Sequence, residues 1–193
     1  IKVKACITYT LESMNSAKSI AYCNVLTAFS VVPIGTKIFL MEIQTLLTEV
    51  TIGIPRRIVQ GFDRNRIQIL SAVAEKKMGL ALGMKDMFLN VPGGLSIADP
   101  AADLAVLISL LSVYKGVEIS QKIAAIGELG LRGEIRKVYF MDKRLRELEK
   151  LGFKGVYVPE ANRKEIEKNS YNLKLIYLKN LEELLERMNR DGQ

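Results

Sequence analysis

The chain of 193 residues contains no histidine and only two cysteines, Cys6 and Cys23. Histidine is the most frequent general base in enzymes, so its absence excludes Ser-His-Asp and Cys-His catalysis. Structural zinc sites take about four nitrogen or sulfur ligands, which two distant cysteines cannot supply. We therefore expect free thiols in a reducing compartment, with no metal or cofactor bound by these residues.

Long apolar runs are also missing. The longest run, residues 104–113, is interrupted by Ser109 and Ser112 and is far shorter than the roughly 18 residues of a membrane span. The first residues lack the pattern of a secretory signal. Hydrophobic residues make up 49% and charged residues 25%, which is typical of a folded domain. These features predict a cytoplasmic protein with no membrane partner.

Positive charge is in excess, with a net charge of +7 and an isoelectric point near 9.4. A first basic set begins abruptly at residue 56 and is diluted only by Asp63 and Glu75. It consists of Arg56, Arg57, Arg64, Arg66, Lys76 and Lys77. Because guanidinium groups bind phosphate bidentately, we predict that this set contacts DNA. The alternatives are a solvated face and ion pairs between subunits.

A second basic set is mixed with acidic residues, among them Glu134, Asp142 and Glu147. Such mixed signs indicate a solvated or inter-subunit surface, with DNA contact as the alternative. Within this region, Glu128 and Arg132 are expected to pair across a bend. The set consists of Arg132, Arg136, Lys137, Lys143, Arg144, Arg146, Lys150 and Lys154.

The hydrophobic pattern predicts an α/β domain with a mixed sheet and packed helices. Residues 1–20 carry little pattern, whereas residues 21–193 form the domain. Strands are predicted over residues 24–32, 37–50, 56–60, 86–91, 122–129, 131–138, 155–158 and 173–178. Helices are predicted from residue 63 to 77, 99 to 113, 142 to 150, 161 to 168 and 180 to 188.

The helix starts are assigned to capping residues, because a side-chain oxygen satisfies the free N–H groups of the first turn. Asp63, Asp142 and Asn180 are the predicted caps of three helices. The central helix is assigned Asp99 and Asp103 as capping residues, with Pro100 at the first helical position, where its missing N–H costs nothing.

Several segments together resemble one known family in order and spacing. They are residues 35–46, 55–76, 90–105 and 127–136, followed by 151–153 and 158–159. Over about residues 20–165, they resemble the C-terminal domain of the RadA (Sms) family of bacterial DNA repair proteins, which is similar to the proteolytic domain of the Lon protease. The resemblance implies a Lon proteolytic-domain-like fold.

In Lon proteases a helix N-terminus carries a nucleophilic Ser, and a Lys beyond a Gly-Glu…Leu-Arg-Gly segment is its base. Aligning that frame with residues 99–103 and 127–133 puts Ala101 at the Ser position and Asp142 at the Lys position. A methyl group cannot attack a carbonyl, so the resemblance implies a pseudo-protease. Ser96, Ser109 and Lys143 flank these positions and are not expected to restore a dyad.

The RadA resemblance further implies that the chain is a C-terminal fragment of a longer protein. Members of the family are hexameric, ATP-dependent branch-migration motors that act with a RecA-type recombinase on recombination intermediates. Their zinc finger and phosphate-binding loop have no counterpart here, so ATP, Mg and Zn are expected only in the missing domains. Single-stranded or branched DNA and further copies of the chain are therefore the expected partners. A purely structural oligomerisation domain and a Lon-family peptidase are the alternatives.

Overall fold

A mixed sheet of seven strands is the centre of the molecule, whose computed structural model describes residues 25–50 and 53–191. The strands are β1 (Val25–Ile34), β2 (Lys37–Glu49), β3 (Arg57–Gln60), β4 (Lys85–Asn90), β5 (Ile123–Ala125), β8 (Gly155–Pro159) and β9 (Lys174–Leu178). Their order in the sheet is β3-β4-β2-β1-β5-β8-β9. The pairs β1–β2 and β2–β4 are antiparallel, and the other neighbours are parallel. A separate two-stranded ribbon pairs β6 (Glu128–Leu129) with β7 (Ile135–Arg136).

Helices cover both faces of this sheet. They are α1 (Arg64–Met78), α2 (Asp103–Lys115), α3 (Met141–Lys150), α4 (Arg163–Ile166) and α5 (Leu181–Asp191), with 3₁₀ turns at Pro100–Ala102 and Glu160–Asn162. Alternate residues of a strand point to opposite faces. Thus Val32 packs in a core with α1, α2 and α5, whereas Val31 packs in a second core with α3 and α4. The predicted α/β class with a mixed sheet is confirmed.

Local signals explain most element boundaries. The Asp63 carboxylate accepts a hydrogen bond from the Arg66 N–H at 2.8 Å, and α1 ends at Gly79 in the left-handed region with φ 70°. The Asn180 side chain likewise accepts from the Glu183 N–H at 3.0 Å at the start of α5. The strands predicted over residues 24–32 and 37–50 form an antiparallel hairpin of β1 and β2, which turns through Gly35 at φ 61°.

Three expectations about the second half of the chain are wrong in detail. Asp142 does not cap α3, because the N-cap is Phe140 and Asp142 lies within the first turn. In place of the strands predicted over 122–129 and 131–138, the chain forms the three shorter strands β5, β6 and β7. The first predicted strand is interrupted because the Gly127 N–H donates to the Ala101 carbonyl at 2.8 Å and not to a neighbouring strand. The helix predicted over 161–168 is a 3₁₀ turn followed by the single-turn α4.

Some expectations lie outside the described residues, namely the poorly patterned segment 1–20 and the two thiols, Cys6 and Cys23. Within the described ranges, no helix combines the length and apolarity needed to cross a membrane.

Candidate functional site

Ala101 lies at the turn that leads into α2. The Asp99 carboxylate accepts a hydrogen bond from the Ala101 N–H at 3.1 Å and thereby caps the 3₁₀ turn Pro100–Ala102, as predicted for Asp99. The Ala101 methyl group is buried in the core shared with α3. The side chain at this position offers packing and has no atom that could act as a nucleophile.

The cation that reaches the Ala101 turn comes from Arg144 on α3. Its Nη2 donates to the Asp99 carboxylate at 2.6 Å, and its Nε donates to the Tyr139 carbonyl at 3.0 Å. Its Nη1 donates to the Val31 carbonyl. The Arg144 side chain is only 2% exposed. The expectation that it belongs to a solvated or inter-subunit surface is therefore wrong, because its charge is neutralised by Asp99 inside the domain.

Asp142 is engaged elsewhere. Its carboxylate accepts hydrogen bonds from Arg146 Nε at 3.0 Å and from the Tyr171 hydroxyl at 2.8 Å, and the Arg146 bond holds the pKa of Asp142 below its usual range. Burial, together with the bond to Asp142, raises the pKa of Tyr171 to about 12. Arg144, two residues further along the chain, contacts the Ala101 turn instead. An arginine side chain cannot serve as a general base.

Asp103 forms a buried ion pair with Arg66 of α1. Arg66 Nε donates to its carboxylate at 3.0 Å, Arg66 Nη2 makes a second bond, and the Leu129 N–H donates at 3.0 Å. Arg66 also donates to the Leu129 carbonyl at 2.9 Å. Burial raises the pKa of Asp103, against the opposing effect of Arg66. Asp103 is thus not a capping residue, because its carboxylate bonds across the fold to α1 and β6.

A cleft of about 630 Å³ opens beside this pair. The cleft is lined by Phe62, Asp63, Arg66, Ser96, Ile97, Ala98, Asp99, Pro100, Asp103 and Glu128. This lining carries more carboxylates than cations, because Arg66 is its one basic side chain.

The hydroxyls near the Ala101 turn do not form a dyad with a lysine. Ser96 is exposed, and the buried Ser109 donates to the Leu26 carbonyl at 2.9 Å. Lys143 is exposed and lies over the Phe140 ring.

The structure divides the first basic set into bonded and free side chains. Arg56 pairs with Asp86 at 2.5 Å, which lowers the pKa of Asp86. Arg57 donates to the carbonyls of Lys85 at 2.5 Å and Leu82 at 2.9 Å. Arg56 and Arg57 thus hold β3 against β4 and the segment before it, and Arg66 holds α1 against α2 and β6. These bonds span 25 to 63 residues in sequence, so spacing gave no sign of them.

The remaining members of that set are exposed on α1. Arg64 lies in its first turn, and Lys76 and Lys77 lie in its last. None of the three forms an ion pair with any residue in the described ranges. A helix rises about 1.5 Å per residue, so Arg64 and Lys76 are roughly 18 Å apart along the axis.

Lys77 borders a second cleft, of about 210 Å³, at the N-terminus of α5. Two further cations from distant segments, Arg132 and Lys179, line the same cleft. We call Lys77, Arg132 and Lys179 the basic triad. Lys77 packs beside Gly133, whose φ of 86° is a left-handed conformation that glycine adopts readily. Lys179 belongs to neither basic set predicted from the sequence, and Lys77 and Arg132 belong to different sets, because only folding brings these segments together.

Acidic residues also border the basic triad. Glu134 and Glu182 line its cleft. Glu134 bonds to Arg136 at 2.8 Å, an interaction that lowers the pKa of Glu134 and raises that of Arg136. Glu128 also pairs with Arg136, at 3.6 Å, so the expected Glu128–Arg132 pair is wrong.

The fold and this site define an α/β domain with a buried, non-nucleophilic turn at Ala101 and clustered surface cations. Residues 43–162 match the family described as subunit ChlI of Mg-chelatase, and the chain belongs to that family. The chain is also a RadA-related domain, because curated bacterial proteins named DNA repair protein RadA align with most of it.

Three of these relatives show the extent of the similarity. The protein from Bacillus subtilis (strain 168) is 43% identical over 128 residues, which cover 66% of this chain and 28% of that protein. The protein from Aquifex aeolicus (strain VF5) is 41% identical over 133 residues, which cover 69% of this chain and 30% of that protein. The protein from Campylobacter jejuni is 36% identical over 162 residues, which cover 84% of this chain and 35% of that protein. The chain therefore spans about a third of the length of these relatives.

Proposed function

We propose that this chain is the DNA-binding, ring-forming pseudo-protease domain of a RadA-type protein that acts in DNA repair and homologous recombination. The relatives' printed name, DNA repair protein RadA, supports the biological role. The resemblance to a Lon proteolytic domain supports the pseudo-protease assignment.

The observation that carries the DNA-binding proposal is the basic triad. Lys77, Arg132 and Lys179 line one cleft of about 210 Å³ beside the start of α5, together with Glu134 and Glu182. Glu134 is paired with Arg136, and clustered Lys and Arg neutralise DNA phosphates. Lys76 is adjacent on α1, and Arg64 extends the positive surface along that helix. The acidic cleft beside Asp99 and Asp103 repels phosphate and is not proposed as a DNA site.

The chemistry at the Ala101 turn supports a domain without peptidase activity of its own. The methyl group at Ala101 has no lone pair, and Arg144 is the buried cation that contacts the turn through Asp99. An arginine cannot accept the proton that a serine nucleophile would lose. Peptide hydrolysis by this chain would need a nucleophile and a base at another place in the fold. The Ser109 hydroxyl does not supply the nucleophile, because it donates to the Leu26 backbone carbonyl.

The remaining activities are proposed for the full-length protein. ATP hydrolysis with Mg, a zinc finger and contact with a RecA-type recombinase in the cytoplasm would belong to domains outside this chain. Ring formation, as a hexamer, is proposed for the domain itself. The strand β3 supports it, because among the described residues it has a strand neighbour on one side only, and such an edge with the exposed Ile58 can join a neighbouring copy.

The test is the salt dependence of DNA binding by the 193-residue chain. Replacing Lys77, Arg132 and Lys179 together by Ala removes three phosphate contacts. The slope of log affinity against log salt should therefore become shallower by about 2–3. The matched control replaces Lys164, Lys168 and Lys174, which are exposed on other elements, and changes the net charge equally. An equal change in slope for both variants would refute the assignment of the basic triad.

Ring formation is measured on the same samples by multi-angle light scattering. A hexameric mass at high protein concentration supports the proposed ring, and a strict monomer contradicts it. A ring without salt-dependent DNA affinity in the wild-type chain would instead favour the purely structural oligomerisation domain.

A further inference from the structure

Two consecutive aromatic side chains are exposed just before α3. Tyr139 is 79% exposed and Phe140 is 58% exposed. Aromatic residues form only 7% of the chain, and burial of rings of this size is normally favourable. We call Tyr139 and Phe140 the aromatic platform.

The backbone of the aromatic platform is strained and firmly held. Phe140 has φ 59°, and in the described ranges it is the one residue other than glycine with positive φ. A bulky side chain in this conformation persists only where its surroundings fix it. Arg144 provides that restraint: its Nε donates to the Tyr139 carbonyl at 3.0 Å, and its N–H donates to the Phe140 carbonyl at 3.1 Å.

The preceding residue is fixed as well. The buried Asn162 side chain accepts from the Val138 N–H and donates to the Val138 carbonyl, both at 2.9 Å. The two rings are therefore presented from a backbone that is bonded on both sides, so little ordering entropy is lost when a ligand stacks on them.

Charge indicates the chemistry of the partner. Lys143 lies with its Nζ 5.6 Å from the centre of the Phe140 ring and has no carboxylate partner in the described part of the chain. Arg136 and Lys137 precede the platform and are both about half exposed, but they are paired with Glu134 and Glu165, so Lys143 is the cation beside the rings that is available to a ligand. Aromatic rings beside cations form the usual surface for unpaired nucleic acid, because the rings stack on bases while the cations contact the backbone.

We propose that Tyr139 and Phe140 form a stacking site for the unpaired bases of single-stranded DNA. Bases in a duplex are already stacked on their neighbours, so the site selects single strands and the unpaired parts of branched molecules. This inference rests on the proposed DNA-binding function, but it assigns a different surface and a different interaction from the phosphate contacts of the basic triad.

The test compares two ligands of equal charge: an oligothymidylate and an abasic oligonucleotide of the same length. Stacking requires bases, so the wild-type chain should bind oligothymidylate more tightly. Phe140→Gly removes one ring and also relieves the left-handed strain, because glycine adopts positive φ readily, so loss of folding is not expected. Together with Tyr139→Ala, it should weaken oligothymidylate binding about tenfold or more, and leave binding of the abasic strand unchanged.

Two further variants complete the experiment. Leu131→Ala removes an exposed apolar side chain that has no ring and lies outside the platform, and it should leave both affinities unchanged. Phe140→Trp keeps a ring and introduces the first tryptophan of the chain, whose fluorescence should be quenched by oligothymidylate but not by the abasic strand.

The outcomes separate this inference from the proposed function. Equal wild-type affinity for the two strands would overturn base stacking while leaving the phosphate contacts in place. No salt-dependent binding of either strand would overturn both. If the platform variants lose self-association in light scattering while oligothymidylate affinity is unchanged, the rings are an interface between copies of this chain and the stacking site is refuted.

Discussion

Replacing Arg66 by Ala should destabilise the fold before it changes any contact with DNA. The Asp103 side chain is fully buried, whereas the Arg66 side chain is 27% exposed. Without the guanidinium, the Asp103 carboxylate keeps only the Leu129 N–H at 3.0 Å as a hydrogen-bond donor among the described residues. The pair links α1 to the start of α2, so its loss affects two helices of the larger core.

The size of the stability loss follows from the different burial of the two side chains, Asp103 and Arg66. Removing one partner of a buried ion pair costs about 3–5 kcal/mol, because the other charge is left uncompensated. The partial exposure of Arg66 puts Arg66→Ala at the lower end, about 3 kcal/mol. The converse change, Asp103→Asn, keeps a polar group of the same shape and leaves the arginine free to reach water. It should cost about 1–2 kcal/mol.

The pH dependence of the free energy of unfolding is a second test of the Arg66–Asp103 pair. Burial raises the pKa of Asp103 above its unfolded value, so this group stabilises the fold most at low pH, and the contribution is lost as pH rises through the folded pKa. Arg66 opposes the rise, and its removal moves that pKa still higher. The deficit of Arg66→Ala relative to wild type should therefore grow as the pH is raised from about 4 to 7.

Urea unfolding followed by circular dichroism measures both effects, and thermal unfolding should shift by roughly 6–12 °C for a loss of about 3 kcal/mol. Arg64→Ala, on the exposed face of the same helix, is the control and should change stability by less than about 0.5 kcal/mol. A stability loss for Arg66→Ala no larger than that of the control would refute the structural role assigned to the pair.

Two other predictions concern α3. Arg144→Met leaves the Asp99 carboxylate without its 2.6 Å partner and should cost about 3 kcal/mol in urea unfolding; a loss below about 1 kcal/mol would contradict the buried pair. Tyr171, with a folded pKa of about 12 against about 10 when unfolded, favours the folded state below pH 10 and loses that contribution as the pH rises towards 12. Absorbance titration of phenolate should lose a tyrosine that ionises near pH 12 in Tyr171→Phe, and a Tyr171 pKa near 10 would contradict its burial and its bond to Asp142.

The element pattern was predictable where local chemistry decides it. Asp63 and Asn180 are caps because a short polar side chain reaches the N–H groups of the first turn, which depends only on neighbouring residues. The prediction failed at Asp142 because the turn before α3 is held by Arg144 bonding back to Tyr139. That bond needs the buried environment of two sheet strands and cannot be inferred from a sequence window.

The candidate site shows the same division. The lack of histidine follows from composition, and the resemblance to Lon proteases put Ala101 at the Ser position. Both observations argued against a hydrolase. The basic residues were visible too, but their roles were not. Arg66 and Arg56 are bonded to carboxylates more than 25 residues away, whereas Lys77 and Lys179 line the same cleft beside the start of α5.

The sequence by itself determined the α/β class, the caps at Asp63, Asp99 and Asn180, and the excess of cations, because each depends on residue type or on spacing within a few residues. Only the tertiary structure decided which cations are neutralised inside the domain, which converge on the cleft at α5, and that two aromatic rings remain exposed at Tyr139 and Phe140. The physical reason is that burial and ion pairing depend on distances in space between segments that are far apart in the chain.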